Sequence, residues 1–99
     1  MQPPEPGPWD AQLVELAHRT RAALLDLRDT DPAADAAAAS ALADAGFPRE
    51  HAGWVVEALL HYVLGHTIDE RAGALEPAAQ ARFAFGLELF VDGVRVRLR

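Results

Sequence analysis

Two histidines of this chain stand one helical turn from a carboxylate: His61 follows Glu57, and His66 precedes Glu70. A carboxylate at that spacing can hold an imidazole in one tautomer, the arrangement a general base or a metal ligand needs. Asp69 and Glu70 add two adjacent carboxylates. Two ligands do not make a metal site, however, and no H-E-x-x-H or equivalent spacing is present. The bland reading of both pairs is an ion pair on a helix surface. Ser40 is the only serine and lies in an alanine tract, and there is no cysteine, so no partnered nucleophile can be assembled. Neither a phosphate loop nor a dinucleotide fingerprint occurs. The expectation is a non-enzyme without metal or cofactor. An enzyme built on a His–carboxylate pair is the remote rival, to be judged by whether His61→Ala abolishes an activity while the fold survives. A further possibility for these residues is an apolar cavity lined by Trp54, His61, Phe83 and the leucines of the first helix, with one polar anchor.

These side chains are carried by helices. Leu13, Leu16, Ala17, Leu24 and Leu27 recur at helical spacing opposite Glu15, Arg19 and Asp26. Asp31-Pro32 supplies an N-cap and a first-turn proline for an alanine-rich second helix that stops at Gly46. Pro48 opens a third helix, and Gly73 marks its exit. The alternation in VRVRLR at the end reads as the continuation of a helical pattern rather than a strand. The expected fold class is all-α: an antiparallel bundle of four helices at about 9–28, 32–45, 48–71 and 77–98. Residues 1–8, with Pro3, Pro4, Pro6 and Pro8, read as a leader or linker remnant before one domain, 9–99.

The last helix is unusual in its proportions. Glu88, Asp92, Arg95 and Arg99 fall in an arc of about 60°, and nearly everything else is apolar. The third helix is apolar over most of its circumference as well. A 99-residue monomer cannot cover both. The expected solution is a two-fold dimer in which these two helices pair with their copies as an intersubunit four-helix bundle. Its contacts would be Leu60, Leu64, Gly65, Phe85, Gly86, Leu89, Phe90 and Gly93. Gly65 and Gly86 would permit close backbone approach between copies. The competing view is that these glycines relieve crowding inside one monomer.

Composition narrows the function classes. A formal charge of −6 disfavours direct binding to nucleic acid. No apolar run reaches the ~18 residues of a membrane span, and the start has no secretory pattern. A soluble cytoplasmic protein is expected.

The segment GFPREHAGWVVEALLHYVLGHTIDE resembles the central part of the C-terminal domain of the tetracycline repressor (TetR) family, where a G-F turn precedes a long helix with an aromatic-x-x-Gly element, here Tyr62 to Gly65. RFAFGLELFVDGVRVRL is similar to that family's final helix. PWDAQLVELAHRTRAALLDLRDTDP is similar to the helix that opens the domain. The resemblance spans about residues 8–98. It implies a dimeric, ligand-responsive transcription repressor, in which this domain supplies dimerisation and a pocket for a small hydrophobic effector. In tetracycline-binding members, an acidic residue after the glycine of the long helix helps to hold the drug–magnesium chelate; Asp69 is the matching position. His61 falls where founding members have a histidine. With Trp54, Glu57 and Phe83, these residues form the expected ligand set. The chain departs from the family in a short segment before the last helix, about Ala72–Pro77, and in lacking counterparts of the histidine and threonine that grip the drug. The family's N-terminal helix-turn-helix domain is read as absent from this chain, which alone is therefore not expected to bind an operator. The alternative reading is a free-standing module without a pocket, which heterodimerises with a full-length regulator.

Overall fold

The structure, a computed structural model, describes residues 8–98. Four helices account for most of them: α1, Trp9–Leu25; α2, Pro32–Ala45; α3, Arg49–Arg71; and α4, Ala79–Arg97. No strand occurs among the described residues, and VRVR is helical. The leader expected over residues 1–8 lies outside the described residues except for Pro8, which precedes α1.

The helix ends follow local chemistry. α1 stops three residues earlier than its pattern suggests. Leu27 takes a left-handed conformation with φ of 57°, and the Arg28 amide donates to Ala23 O at 2.7 Å, closing the helix. A leucine in that conformation costs about 1 kcal/mol. It also turns the Leu27 side chain outward, 78% exposed, so Leu27 leaves the apolar stripe of α1. α2 begins as expected: the Asp31 carboxylate accepts from the Ala33 amide at 3.0 Å, with Pro32 in the first turn. It ends at Gly46, whose φ of 130° suits glycine. Pro48 caps α3 rather than entering it. α4 starts two residues after Pro77, because a turn from Leu75 O to the Ala78 amide (2.9 Å) closes first.

Leu13, Leu16 and Ala17 of α1 meet Leu42 of α2, Val56, Leu59 and Val63 of α3, and Phe83, Leu87, Val91 and Val94 of α4 in one buried cluster. The alanines of α2 are useful here. Ala38 and Ala41 are buried, and small side chains let that helix lie close to its neighbours. α4 runs back along α3: Leu98 lies close to Gly46, and Tyr62 of α3 lies against Gly86 of α4. This places the outer faces of α3 and α4 side by side.

Candidate functional site

Phe83 is completely buried where α1, α3 and α4 converge. Tyr62 stacks on its ring at 5.6 Å, His66 tilts against it at 5.0 Å, His18 meets it edge-on at 5.4 Å, and the Arg21 guanidinium lies 5.1 Å from its centroid. The Tyr62 hydroxyl donates to Phe83 O at 2.8 Å. Burial pushes the Tyr62 phenol upward against the opposing pull of Arg21, which keeps it a donor. Arg21 grips Glu70 with both prongs of its fork, Nε to Oε1 at 3.0 Å and Nη2 to Oε2 at 2.7 Å, and Nη1 donates to Gln80 at 2.9 Å. One side chain of α1 thus ties together α3 and the start of α4. The Arg21 hydrogen bond holds the Glu70 carboxyl below the ordinary range, assisted by the charges of Arg21 and His66 and opposed by burial. His66 Nε2 is buried without a hydrogen-bond partner, and Glu70 Oε1 stands 3.6 Å away.

The five residues of the expected ligand set do not converge. Phe83 belongs to this filled interior. Trp54 is 56% exposed and stacks on His51 at 4.9 Å. Glu57, His61 and Asp69 are exposed, and Glu57 and His61 make no ion pair with each other among the described residues. No cluster of three metal-ligating side chains occurs among the described residues. Arg21 and the exposed His18 and Gln80 border the interior cluster although nothing in their spacing announces it. The one available sign is the position of Arg21 beside the apolar stripe of α1.

The residues expected between copies divide into two groups. Leu64, Gly65, Phe85, Leu89 and Gly93 are exposed. Leu60 is half-buried against the core, about 100° around α3 from His61. Phe90 also packs on the core, with one edge open. Gly86 serves a contact within the chain. A Cβ there would stand 2.8 Å from Tyr62 Cζ and 2.9 Å from Cε1, so the phenol ring occupies the space that glycine leaves. Crowding inside the monomer explains Gly86, whereas a Cβ at Gly65 or Gly93 would meet nothing within 4 Å. Gly86→Leu is therefore expected to lower stability by about 1–3 kcal/mol through overpacking, even after its better helix propensity is credited. Thermal unfolding checks this. A loss that vanishes when the chain is diluted would instead place Gly86 between copies.

The outward surface of α3 and α4 is the largest feature that the core does not use. On α3, Trp54, Ala58, His61, Leu64, Gly65 and Ile68 share an exposed arc of about 120°, with Glu57 within it. On α4, Phe85, Leu89, Gly93 and Val96 continue the surface. Leu64, Ile68, Phe85, Leu89 and Val96 are 46–63% exposed. Between the helices lies an open groove of about 710 Å³, walled by Phe47, Trp54, Leu89, Phe90 and Val96, with His51 and Arg97 at its edge. Three charged residues of α4 turn the other way: Glu88, Asp92 and Arg95 face Val14 and His18 of α1, and Arg95 pairs with Asp10 and Asp92, both at 3.0 Å. No described helix is long and apolar enough to cross a membrane. Comparison with family models, curated proteins and solved structures finds no match.

Proposed function

We propose that the chain is the dimerisation and effector-binding domain of a TetR-like transcription regulator, an antiparallel helical bundle that pairs two copies through α3 and α4. The observation that carries this reading is the contiguous apolar surface on those helices. Isolated exposed apolar residues are ordinary, but two adjacent helices presenting a tryptophan, a phenylalanine, two leucines and an isoleucine on one side are characteristic of an interface. The glycines Gly65 and Gly93 lie open within that surface and allow helices to approach closely. In the intact regulator, an apolar effector seated in the groove beside Trp54 would shift the balance between two dimer arrangements and so the spacing of the DNA-reading domains. The chain alone, at −6, would not retard duplex DNA.

The filled interior around Phe83 favours a second reading, a pairing module without an internal pocket that heterodimerises with a full-length regulator. Both readings require the same surface.

Because the chain contains no cysteine, a single engineered thiol reports on that surface without background. Ala58→Cys, exposed at the middle of α3 on that surface, treated with a short bismaleimide, should cross-link to twice the 10.7 kDa chain mass. Ala36→Cys on the exposed side of α2 should remain single. Equal cross-linking of both variants would remove the surface from consideration.

A further inference from the structure

Glu57 and His61 lie in the middle of the α3 part of the α3–α4 surface, where an apolar interface should not tolerate them without partners, whereas Glu50, Arg82 and Arg97 lie toward the ends of the two helices. Glu57 and His61 are both exposed, they lie one turn apart on α3, and neither pairs with the other within the chain. Buried between two copies, each would need a partner, and because Glu57 and His61 do not pair with each other in the folded chain, the opposite chain is left to supply it; an unpaired charge or imidazole between apolar faces is strongly unfavourable. Two-fold symmetry leaves few ways to supply one. Where α3 packs antiparallel on its copy, the numbers of opposed residues have a constant sum. A register that sets Glu57 against Glu57 opposes like charges. One that sets His61 against His61 leaves Glu57 opposite Gly65, which offers no side chain. The register that sets Glu57 of each copy against the partner's His61 satisfies all four groups at once. The same register brings Trp54 against the partner's Leu64, apolar on apolar.

We infer that Glu57 and His61 are the specificity-determining residues of a homodimer, fixing its register and its choice of a second copy of this chain through two symmetric Glu57–His61 hydrogen bonds. The inference rests on the pairing of copies through α3 and α4 proposed above. Polar pairs placed within an apolar seam select register and partner. The occupant of the surface is a second copy because the carboxylate and the imidazole are self-complementary under a two-fold axis. An unrelated apolar helix would offer a partner to neither.

A charge-exchange experiment separates this inference from the reading beneath it. The dimer dissociation constant is measured for the unaltered chain, for Glu57→Arg and for His61→Glu, each alone, and for the two variants mixed in equal amounts. In the first variant the new guanidinium would face an imidazole, and in the second two carboxylates would face each other. Each variant alone should therefore dimerise at least ~10-fold more weakly, with helix content unchanged. In the mixture, the guanidinium faces the new carboxylate and the remaining His61 faces the remaining Glu57, so association should recover. Variants that dimerise normally, or a mixture that stays as weak as its components, would overturn the pairing while leaving the dimer in place. An unaltered chain that is monomeric throughout would overturn both.

Discussion

Leu89→Glu is expected to separate the two copies without disturbing either. In the single chain, Leu89 is 60% exposed on the wall of the groove, so replacing it removes little intramolecular packing. Glutamate is nearly as good a helix former as leucine, so α4 should keep its helix content. Between copies the effect is doubled by symmetry, since each interface would receive two carboxylates in place of two apolar side chains. Leaving a charge buried and unpaired costs about 3–5 kcal/mol. Even with partial hydration, dimerisation should weaken by at least ~100-fold, at about 1.4 kcal/mol per factor of ten. Sedimentation across a concentration series, with circular dichroism on the same samples, reads both quantities. Ala36→Glu on the exposed side of α2 is the control and should do neither. A Leu89→Glu chain that retains dimer mass would place the contact elsewhere.

The second large effect is inside the chain. Arg21→Met should lower stability by about 2–3 kcal/mol, somewhat less than breaking a fully enclosed pair because the outer edges of Arg21 and Glu70 still meet water. The substitution removes the fork on Glu70 and the bond to Gln80, and it leaves a carboxylate 15% exposed with only His66 near it. It should also change how stability depends on pH. The folded chain holds the Glu70 carboxyl below its unfolded value. Its contribution is therefore complete above the ordinary glutamate range. It is lost as pH falls through the unfolded value toward the lower folded one, where both states are protonated. Arg21→Met should flatten this acid limb and leave the neutral plateau uniformly lower. Urea unfolding at a series of pH values tests both parts, and an acid limb of unchanged steepness would mean that Arg21 is not what holds Glu70 ionised.

How much of this was legible beforehand depended on whether the signal was local. Asp31-Pro32 and Gly46 announced α2 because capping and left-handed turns are properties of a few adjacent residues. Alternation in VRVRLR did not mislead, since the helical spacing of Phe83, Leu87, Val91 and Val94 continues beneath it. The end of α1 departs from its helical spacing because Leu27 adopts a conformation that leucine disfavours, which no propensity suggests. The apolar excess of α3 and α4 was plain on a helical wheel, but a wheel cannot say which part of it faces a neighbouring helix. Gly86 shows the limit. Its meaning lies in Tyr62, 24 positions earlier in the sequence. Likewise Arg21, Glu70 and Gln80 come from three different helices, and only the packing of those helices brings them together. Trp54, His61 and Phe83 looked like one ligand set because they are the notable side chains of their helices. The folded chain sends Phe83 to the core and the other two to the outer surface.

The central claim is that the outward surface of α3 and α4 joins two copies of this chain, and the most direct measurement is the mass of the unaltered chain in solution, followed by sedimentation through a dilution series at neutral pH. A species of twice the chain mass is expected, persisting to low concentration and dissociating reversibly to one folded chain. A single-chain mass at every concentration, with full helix content and no aggregation, would contradict it. It would mean that Trp54, Leu64, Ile68, Phe85, Leu89 and Val96 remain in water or serve a different partner.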